Sequence, residues 1–533
     1  MNIKDIQQKW KAQFLGENGK RRANYLHFDV KLSLDEASKK IFNPHYIMRH
    51  SFWPFISYEL KTKKIKSIYK YISEKNIEYR NDTISYSNSD IKNIIDNDSN
   101  VDRLLLSKKG RPDKVVIYKV RPICYASHID SLIYSYYGEI INYGYEKILI
   151  KKELTKNVLA FRKQGNEKKC NIHYSLQSFN DIKALDNSVV LAFDVKNFFN
   201  ILDHDILKKK WLEVIQQFLK VDELPKDHYK VFKSLTKYTY IDRDVVYDFF
   251  GISKLNSKNI SNSIKNKVKN KTLDPLLVYV ENKNKRVRIC KPEAFRCSAS
   301  KLINKNKGIS KGIPQGTSIS ALLSNIYLID FDVKIKNFIE GLGGSYYRYC
   351  DDLLCILPLY CTNDIYKQSD LLEKFMYQVS QEFKLDINKE KTEKYVFLDK
   401  DNSYLTSIKK LCCYKIKDNK ILPSKLQYLG FKFDGDVVTV RSSTILRYQR
   451  KMKRGIKYQL RIKAKYGSGV RLNIKKIRMM YSHSGVNNFA KYVYRSSYIM
   501  SDERIKKQIK NHQKDINKQI KIISKRININ DSI

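Results

Sequence analysis

Three aspartates stand where a chain normally avoids charge. VVLAFDV (189–195) is a short apolar run of the kind a buried strand shows, with Asp194 near its end. YYRYCDDLLCIL (346–357) reads as two short apolar strands with Asp351 and Asp352 at the bend between them. A lone Asp at a strand end is ordinarily a turn residue, but an adjacent pair inside an apolar hairpin is not explained that way. Brought together without cations, three carboxylates would repel one another and their pKa values would rise. A hard divalent metal removes the conflict, and two Mg2+ ions ~3.5–4 Å apart, bridged by such carboxylates, are the apparatus of phosphoryl transfer. One ion lowers the pKa of an attacking 3′-hydroxyl, while the other holds a triphosphate and stabilises the departing pyrophosphate.

Composition points to the same kind of substrate. Lys and Arg number 102 against 55 Asp and Glu, a net charge of +47 over 533 residues, which makes polyanions such as nucleic acid the expected partners. Hydrophobic residues at 42% are enough for sizeable cores and exclude a wholly disordered chain. No stretch approaches the ~20 apolar residues of a transmembrane helix, so no membrane partner is expected. The opening MNIKDIQQKWKAQFLGE has Asp5, Glu17 and no apolar run, so it does not read as a signal peptide. Nine cysteines form no CxxC pair, against both a zinc ribbon and a disulfide scaffold. The expectation is a soluble, intracellular protein.

There is no fixed-period repeat. Residues 1–110 mix aromatic clusters with charge and read as a folded helical region, with an Asn/Asp/Ser-rich loop at 73–103. IDSLIYSYYGEIINYGYEKIL (129–149) has the spacing of a long buried helix. HDILKKKWLEVIQQFLK (204–220) reads as an amphipathic helix, with His204 packing or capping it rather than doing chemistry. The window 251–310 holds 15 basic and 3 acidic residues and reads as an insertion, either a mobile loop or a surface that grips a polyanion. GIPQGTSISALLSNIYL (312–328) is a Gly/Pro turn leading into a helix. From residue 441 onward 25 Lys and Arg face 4 Asp and Glu, with helical periodicity in ILRYQRKMKRGIKYQLRIK.

Read together, these blocks resemble the reverse transcriptases, and specifically the bacterial ones. FDVKNFFNILDH (193–204) resembles the first palm motif, GIPQGTSISALLSNIYL the second, and YCDD (349–352) the YxDD signature of the third. LDINKEKTEK (385–394) resembles the fourth, and LQYLGFKFDG (426–435) the primer-grip hairpin. Their order and spacing match across roughly 110–440, and five blocks in order are far more specific than YxDD alone. The resemblance implies an α+β right-hand polymerase with fingers, a ferredoxin-like palm with an antiparallel sheet, and a helical thumb. The corresponding boundaries are an N-terminal extension at 1–110, fingers at 111–190, a palm at 191–435 carrying the basic insertion, and a thumb module at 436–533.

Carried over residue by residue, the resemblance makes Asp194, Asp351, Asp352 and the Val195 carbonyl ligands of two Mg2+ ions, with Mn2+ as a substitute. Phe199 matches the aromatic gate that clashes with a ribose 2′-hydroxyl, while Phe198 beside it reads as core. Gln315 and Gly316 match the turn that packs on the incoming nucleotide, Gly316 allowing close backbone approach. Lys391 matches a proposed general acid for pyrophosphate, and it equally suits a solvated charge. Arg162, in AFRKQGN, matches the triphosphate clamp and Arg121 another basic fingers position, with Lys119 a weaker partner. Arg447, Arg450, Lys451, Lys453 and Arg454 would grip a duplex backbone independently of sequence.

Within the family, the NAxxH and VTG blocks of retron enzymes are missing, and DVVTVRSS (436–443) lacks the glycine. No HNH-like cluster follows the primer grip, unlike many group II intron enzymes. HSFWPFI, RPICYASHIDSLIYSYY and KKCNIHYSL instead resemble the stand-alone bacterial enzymes of anti-phage defence and abortive infection. That implies a cytoplasmic enzyme acting on dNTPs, with a cognate non-coding RNA as template and cDNA as product. Any homo-oligomer of so basic a chain is expected to be RNA-bridged. Two alternatives remain open: untemplated or homopolymer DNA synthesis at the same site, and a non-catalytic RNA-binding, maturase-like scaffold.

Overall fold

The protein is described here from a computed structural model, which covers residues 2–15, 25–68, 71, 72, 98, 101–106, 112–162, 169–250, 280, 281, 286–306, 308, 310–360, 364–399, 411–466 and 474–530. The chain divides into two units, Met1–Ile148 with Phe199–Tyr327, and Leu149–Phe198 with Leu328–Ile533.

The first unit is built on a five-stranded sheet. Its strands are β1 (Phe55–Ser67), β2 (Val101–Leu106), β3 (Pro112–Tyr125), β5 (Thr239–Asp242) and β8 (Asn304–Lys305), in the order β2-β3-β1-β5-β8. A separate two-stranded hairpin joins β6 (Val280–Glu281) to β7 (Arg286–Val287). β1 and β3 pair antiparallel from Ile56 opposite Tyr125 to Ser67 opposite Lys114. Residues 1–110 are therefore not the helical region expected, because β1 and β2 lie within them. The signal was present in FISYELKTKKIKS as alternation of Ile56, Tyr58, Leu60 and Thr62, but the lysines of an outer half exposed on both faces masked it. Residues 73–97 of the expected loop lie outside the described residues.

The window 251–310, expected as an insertion that is either a mobile loop or a polyanion-gripping surface, contributes core residues at its C-terminal end. Residues 251–279 lie outside the described residues, but Ile289, Cys290 and Phe295 are buried in a core cluster with Leu26, Phe28, Ile56 and Ile241. Their apolar character was diluted in the window average by the basic residues around them. The long helix is present as His128–Lys151. Two of its tyrosines bury their rings and keep a partner for the hydroxyl: Tyr137 donates to Asp227 at 2.6 Å, and Tyr134 pairs with Ser234 at 3.1 Å.

The second unit holds a six-stranded, wholly antiparallel sheet. β4 (Ser188–Asp194), β9 (Ser345–Tyr349), β10 (Asp352–Pro358), β11 (Glu393–Asp399), β12 (Leu411–Lys417) and β13 (Lys420–Pro423) run in the order β13-β12-β11-β4-β10-β9. β4 and β10 are interior and covered on both faces. Val190, Leu354 and Ile356 cluster with Ile172, Phe179 and Ile182 of the helix Asn171–Ala184, and Cys355 lies 4.0 Å from Met376 on the helix Ile365–Glu382. This is why both strands read as continuous apolar runs rather than alternating ones.

A small sheet follows, of β14 (Leu426–Tyr428), β15 (Phe431–Phe433) and β16 (Val438–Val440). Leu429 and Gly430 turn β14 into β15 with φ of 44° and 98°, the left-handed pair that a two-residue hairpin needs. Most of the described residues from 442 onward are helical. The helix Ser442–Tyr466 buries Met452, Ile456 and Leu460 against Ile477 and Ile516. No helix among the described residues is long and apolar enough to cross a membrane.

Candidate active site

The three aspartates converge in the second unit. β10 pairs with β4 in a register that sets Asp352 opposite Asp194. β9 returns into β10 through the two-residue bend Cys350–Asp351, with Tyr349 opposite Asp352. Cys350 takes up a φ of 61°, a left-handed conformation costing roughly 1–2 kcal/mol for a residue with a side chain. The end of β4 is fixed from two sides. The Val195 amide donates to the Asp351 carbonyl at 3.2 Å, and the Asn388 amide donates to the Asp194 carbonyl at 2.8 Å. The Val195 side chain is buried.

Charge dominates this corner of the sheet. The Asp352 carboxyl is pushed up to about 6, first by the protein packed around it and then by Asp351 and Asp194; Arg441 and Lys391 pull it the other way. By surface area the residue is exposed, so crowding on its protein side rather than enclosure sets the shift. Lys391 Nζ lies 2.5 Å from Asp194 Oδ2. The position matched to a general acid therefore touches the acidic cluster. Arg441, which follows β16, carried no sequence signal beyond being one cation in a basic tail.

The donor set suits a hard divalent cation: carboxylate oxygens, with the Asp352 carboxyl raised by the protein packed around it and then by repulsion from Asp351 and Asp194. Asp194, Asp351 and Asp352 are the residues that would hold it. As they stand, the three carboxylates are not gathered closely enough to hold a metal ion, and no other group of three or more His, Cys, Asp or Glu among the described residues is either; the Lys391 ammonium supplies counter-charge to Asp194.

Arg162 belongs to the same unit, but its guanidinium is turned back on its own chain. Nη1 donates to the Val158 carbonyl at 2.6 Å and to the Thr155 carbonyl at 3.1 Å. The neighbouring KQG (163–165) lies outside the described residues. Arg447, Arg450, Lys451, Lys453 and Arg454 are all exposed on the helix Ser442–Tyr466, opposite the buried line of Tyr448, Met452, Ile456 and Leu460. That helix contains no acidic residue.

The other expected residues fall in the first unit. Arg121 is half-buried on β3, opposite Leu60, and Lys119 sits opposite Thr62. The Phe199 carbonyl accepts from the Ile313 amide at 2.9 Å, and the side chain is half-buried, whereas Phe198 is core as expected. The Gln315 carbonyl accepts from the Cys124 amide at 2.8 Å. Gly316 has a φ of +123°, and a Cβ there would meet the Cys124 carbonyl at 2.6 Å, so the close approach it permits is to β3. His204 packs as expected, Nε2 lying 2.8 Å from the Gly312 carbonyl, while Asp203 caps the helix.

Residues 284–433 match the family model of the reverse transcriptase (RNA-dependent DNA polymerase). That segment is similar to a reverse transcriptase domain. The match takes in Gln315, Gly316, Asp351, Asp352 and Lys391, while Asp194 lies before it. No curated protein matches the chain. Among solved structures, apo telomerase from Candida tropicalis truncated from its C-terminal domain matches at 13% identity and a TM-score of 0.31, over 62% of this chain and 54% of that one. Telomerase from Candida albicans in complex with a fragment of telomeric RNA matches at 12% identity and a TM-score of 0.32, over 75% and 53%. This chain thus spans about half the length of those two.

Proposed function

We propose that this chain is an RNA-directed DNA polymerase that makes cDNA by two-metal nucleotidyl transfer. The observation that carries the reading is the register of β4 against β10, which sets Asp194 opposite Asp352 beside Asp351; the Asp352 carboxyl is raised to about 6 by the protein packed around it and then by those two neighbours. Asp194, Asp351 and Asp352 would hold Mg2+, or Mn2+ in its place, together with the Val195 carbonyl. Bound there, the metal supplies Lewis acidity for a 3′-hydroxyl and charge neutralisation for the triphosphate. Lys391 gives a proton to the leaving pyrophosphate, leaving Asp194 to do so. Arg162 exchanges its two backbone carbonyls for triphosphate oxygens, which are stronger acceptors for a guanidinium, and Arg121 adds positive charge. Phe199 excludes the ribose 2′-hydroxyl, and Gln315 with Gly316 packs on the nucleotide.

In the same reading the chain is a right hand, with an extension at 1–110, fingers at 111–190, palm at 191–435 and thumb from 436. It works in the cytoplasm in anti-phage defence, on a cognate non-coding RNA, and associates with itself through that RNA. Sequencing the nucleic acid that co-purifies with the protein tests this part. One enriched RNA with complementary cDNA is the expected result; cDNA matching no bound RNA contradicts it.

The thumb assignment has its own expected result. Replacing Arg447, Arg450, Lys451, Lys453 and Arg454 by Gln should weaken binding of an RNA–DNA duplex uniformly across sequences. If each contacts a phosphate, the log–log salt dependence should lose up to about 4.5 in slope. Fluorescence anisotropy between 50 and 200 mM salt measures both, and an unchanged slope would remove this helix from the interface.

A further inference from the structure

Arg348 is fully buried, and so is its partner Asp332 on the helix Ile329–Gly341. The guanidinium grips the carboxylate as a fork: Nε donates to Oδ1 at 2.8 Å, and Nη2 donates to Oδ2 at 2.6 Å. The Tyr346 hydroxyl donates to the same Oδ1 at 2.8 Å. Taking both ions out of water is costly, and an apolar trio of similar volume would often be as stable or more so. Stability alone therefore does not account for the pair.

Its remaining bonds show what else it holds. Arg348 Nη1 donates to the carbonyl of Cys350 at 3.3 Å, the left-handed residue of the bend that carries Asp351 and leads into Asp352. The Arg348 backbone is bound as well. Its amide donates to the Asn157 carbonyl at 2.8 Å, and its carbonyl accepts from the Leu159 amide at 2.9 Å. That bridge fastens the segment whose Val158 carbonyl holds Arg162. Asn157 Nδ2 in turn donates to the Tyr346 carbonyl at 3.0 Å. One buried arginine thus ties the carboxylate bend and the segment of the candidate triphosphate clamp to a single anchored helix.

We infer that Arg348, locked by Asp332, is a positioning residue that sets the Cys350–Asp351 bend and thereby the placement of Asp351 and Asp352 as metal ligands. The inference rests on the polymerase reading of that site. Arg348 touches neither substrate nor metal; it acts through the Cys350 carbonyl. Misplacement of reacting groups by about 1 Å is enough to cost ~10²-fold in rate, so a tie of this kind has room to matter.

The test replaces the whole network without leaving an orphaned charge or hydroxyl: Arg348→Met with Asp332→Leu and Tyr346→Phe. It uses the full chain, Mn2+ binding followed by electron paramagnetic resonance, and dTTP incorporation on poly(rA)/oligo(dT). The variant should melt no lower than wild type and bind the duplex equally well. Its Mn2+ affinity should fall about tenfold and its kcat ~10²-fold, with KM for dTTP little changed. Arg348→Lys, which keeps a cation but loses the fork and the reach to Cys350, should stay folded and remain slow. Wild-type Mn2+ affinity and kcat in the triple variant, or full rescue by lysine, would overturn the inference, as would losses that merely follow the fraction unfolded. If the wild type itself incorporates nothing, the polymerase reading fails, and the Mn2+ comparison still decides whether Arg348 positions the carboxylates.

Discussion

Asp352→Asn should make the metal-free protein more stable and the enzyme inactive. Asp352 has its carboxyl raised from 3.8 to about 6 by surrounding protein and by Asp351 and Asp194. A carboxyl raised on folding favours the folded state fully only below its unfolded pKa, and that benefit is lost as pH rises through the folded value. Above pH ~6 the ionised Asp352 therefore opposes folding, with a ceiling of about 3 kcal/mol from the size of the shift. The residue is exposed, and solvent screening brings the figure nearer ~1 kcal/mol. Denaturant unfolding in EDTA at pH 8 should show that gain for the Asn variant, shrinking as pH falls from 6 toward 4. Saturating Mg2+ should shrink it too, because the metal stabilises the wild-type carboxylates. Incorporation should fall about 10³-fold or more at every pH, since a neutral amide cannot replace an anionic ligand. A variant that is less stable in EDTA at pH 8 would mean the cluster is not in electrostatic conflict.

Lys391→Met should separate two roles held by one side chain. Its ammonium lies 2.5 Å from Asp194 Oδ2, on the carboxylate that a divalent ion would need. Lysine and metal then compete for Asp194, so the Met variant should bind Mn2+ more tightly than wild type. If Lys391 also supplies the proton for pyrophosphate, kcat should nonetheless fall by ~10²-fold or more, the usual contribution of a positioned general acid. A titration of Mn2+ against both proteins, beside pre-steady-state incorporation, reads the two effects separately. Unchanged affinity together with unchanged rate would return Lys391 to the solvated charge that NKEKTEK equally allows.

The parts of the site that could be read in the sequence are those whose residue types contradict their surroundings. Asp194 after VVLAF, and Asp351–Asp352 inside an apolar hairpin, stand out because buried strands do not carry acids without reason. β4, β9 and β10 follow from the same runs, and the helix Ser442–Tyr466 from its periodicity. Elements that agree with a bland alternative stayed hidden. β1 reads as a charged segment because its outer half is solvent on both faces. Ile289, Cys290 and Phe295 are core residues embedded in a Lys/Asn-rich window.

The supporting groups were illegible for a different reason. Arg348 in YYRYC reads as a strand surface charge, and Asp332 in LIDFDVK as a helix surface charge. Only the fold places each at 0% exposure against the other. Arg441 and the Asn388 amide likewise meet the aspartates through contacts distant in sequence. Arg162 shows the converse, a motif position found by resemblance whose guanidinium is held by the backbone carbonyls of Thr155 and Val158.

The most direct test of the central claim is Mg2+-dependent extension of a DNA primer on defined RNA templates, with wild type beside Asp194→Asn. The account predicts that the nucleotide added follows the template base and that addition requires Asp194. Addition that ignores the template, or that persists in the Asn variant, would contradict it.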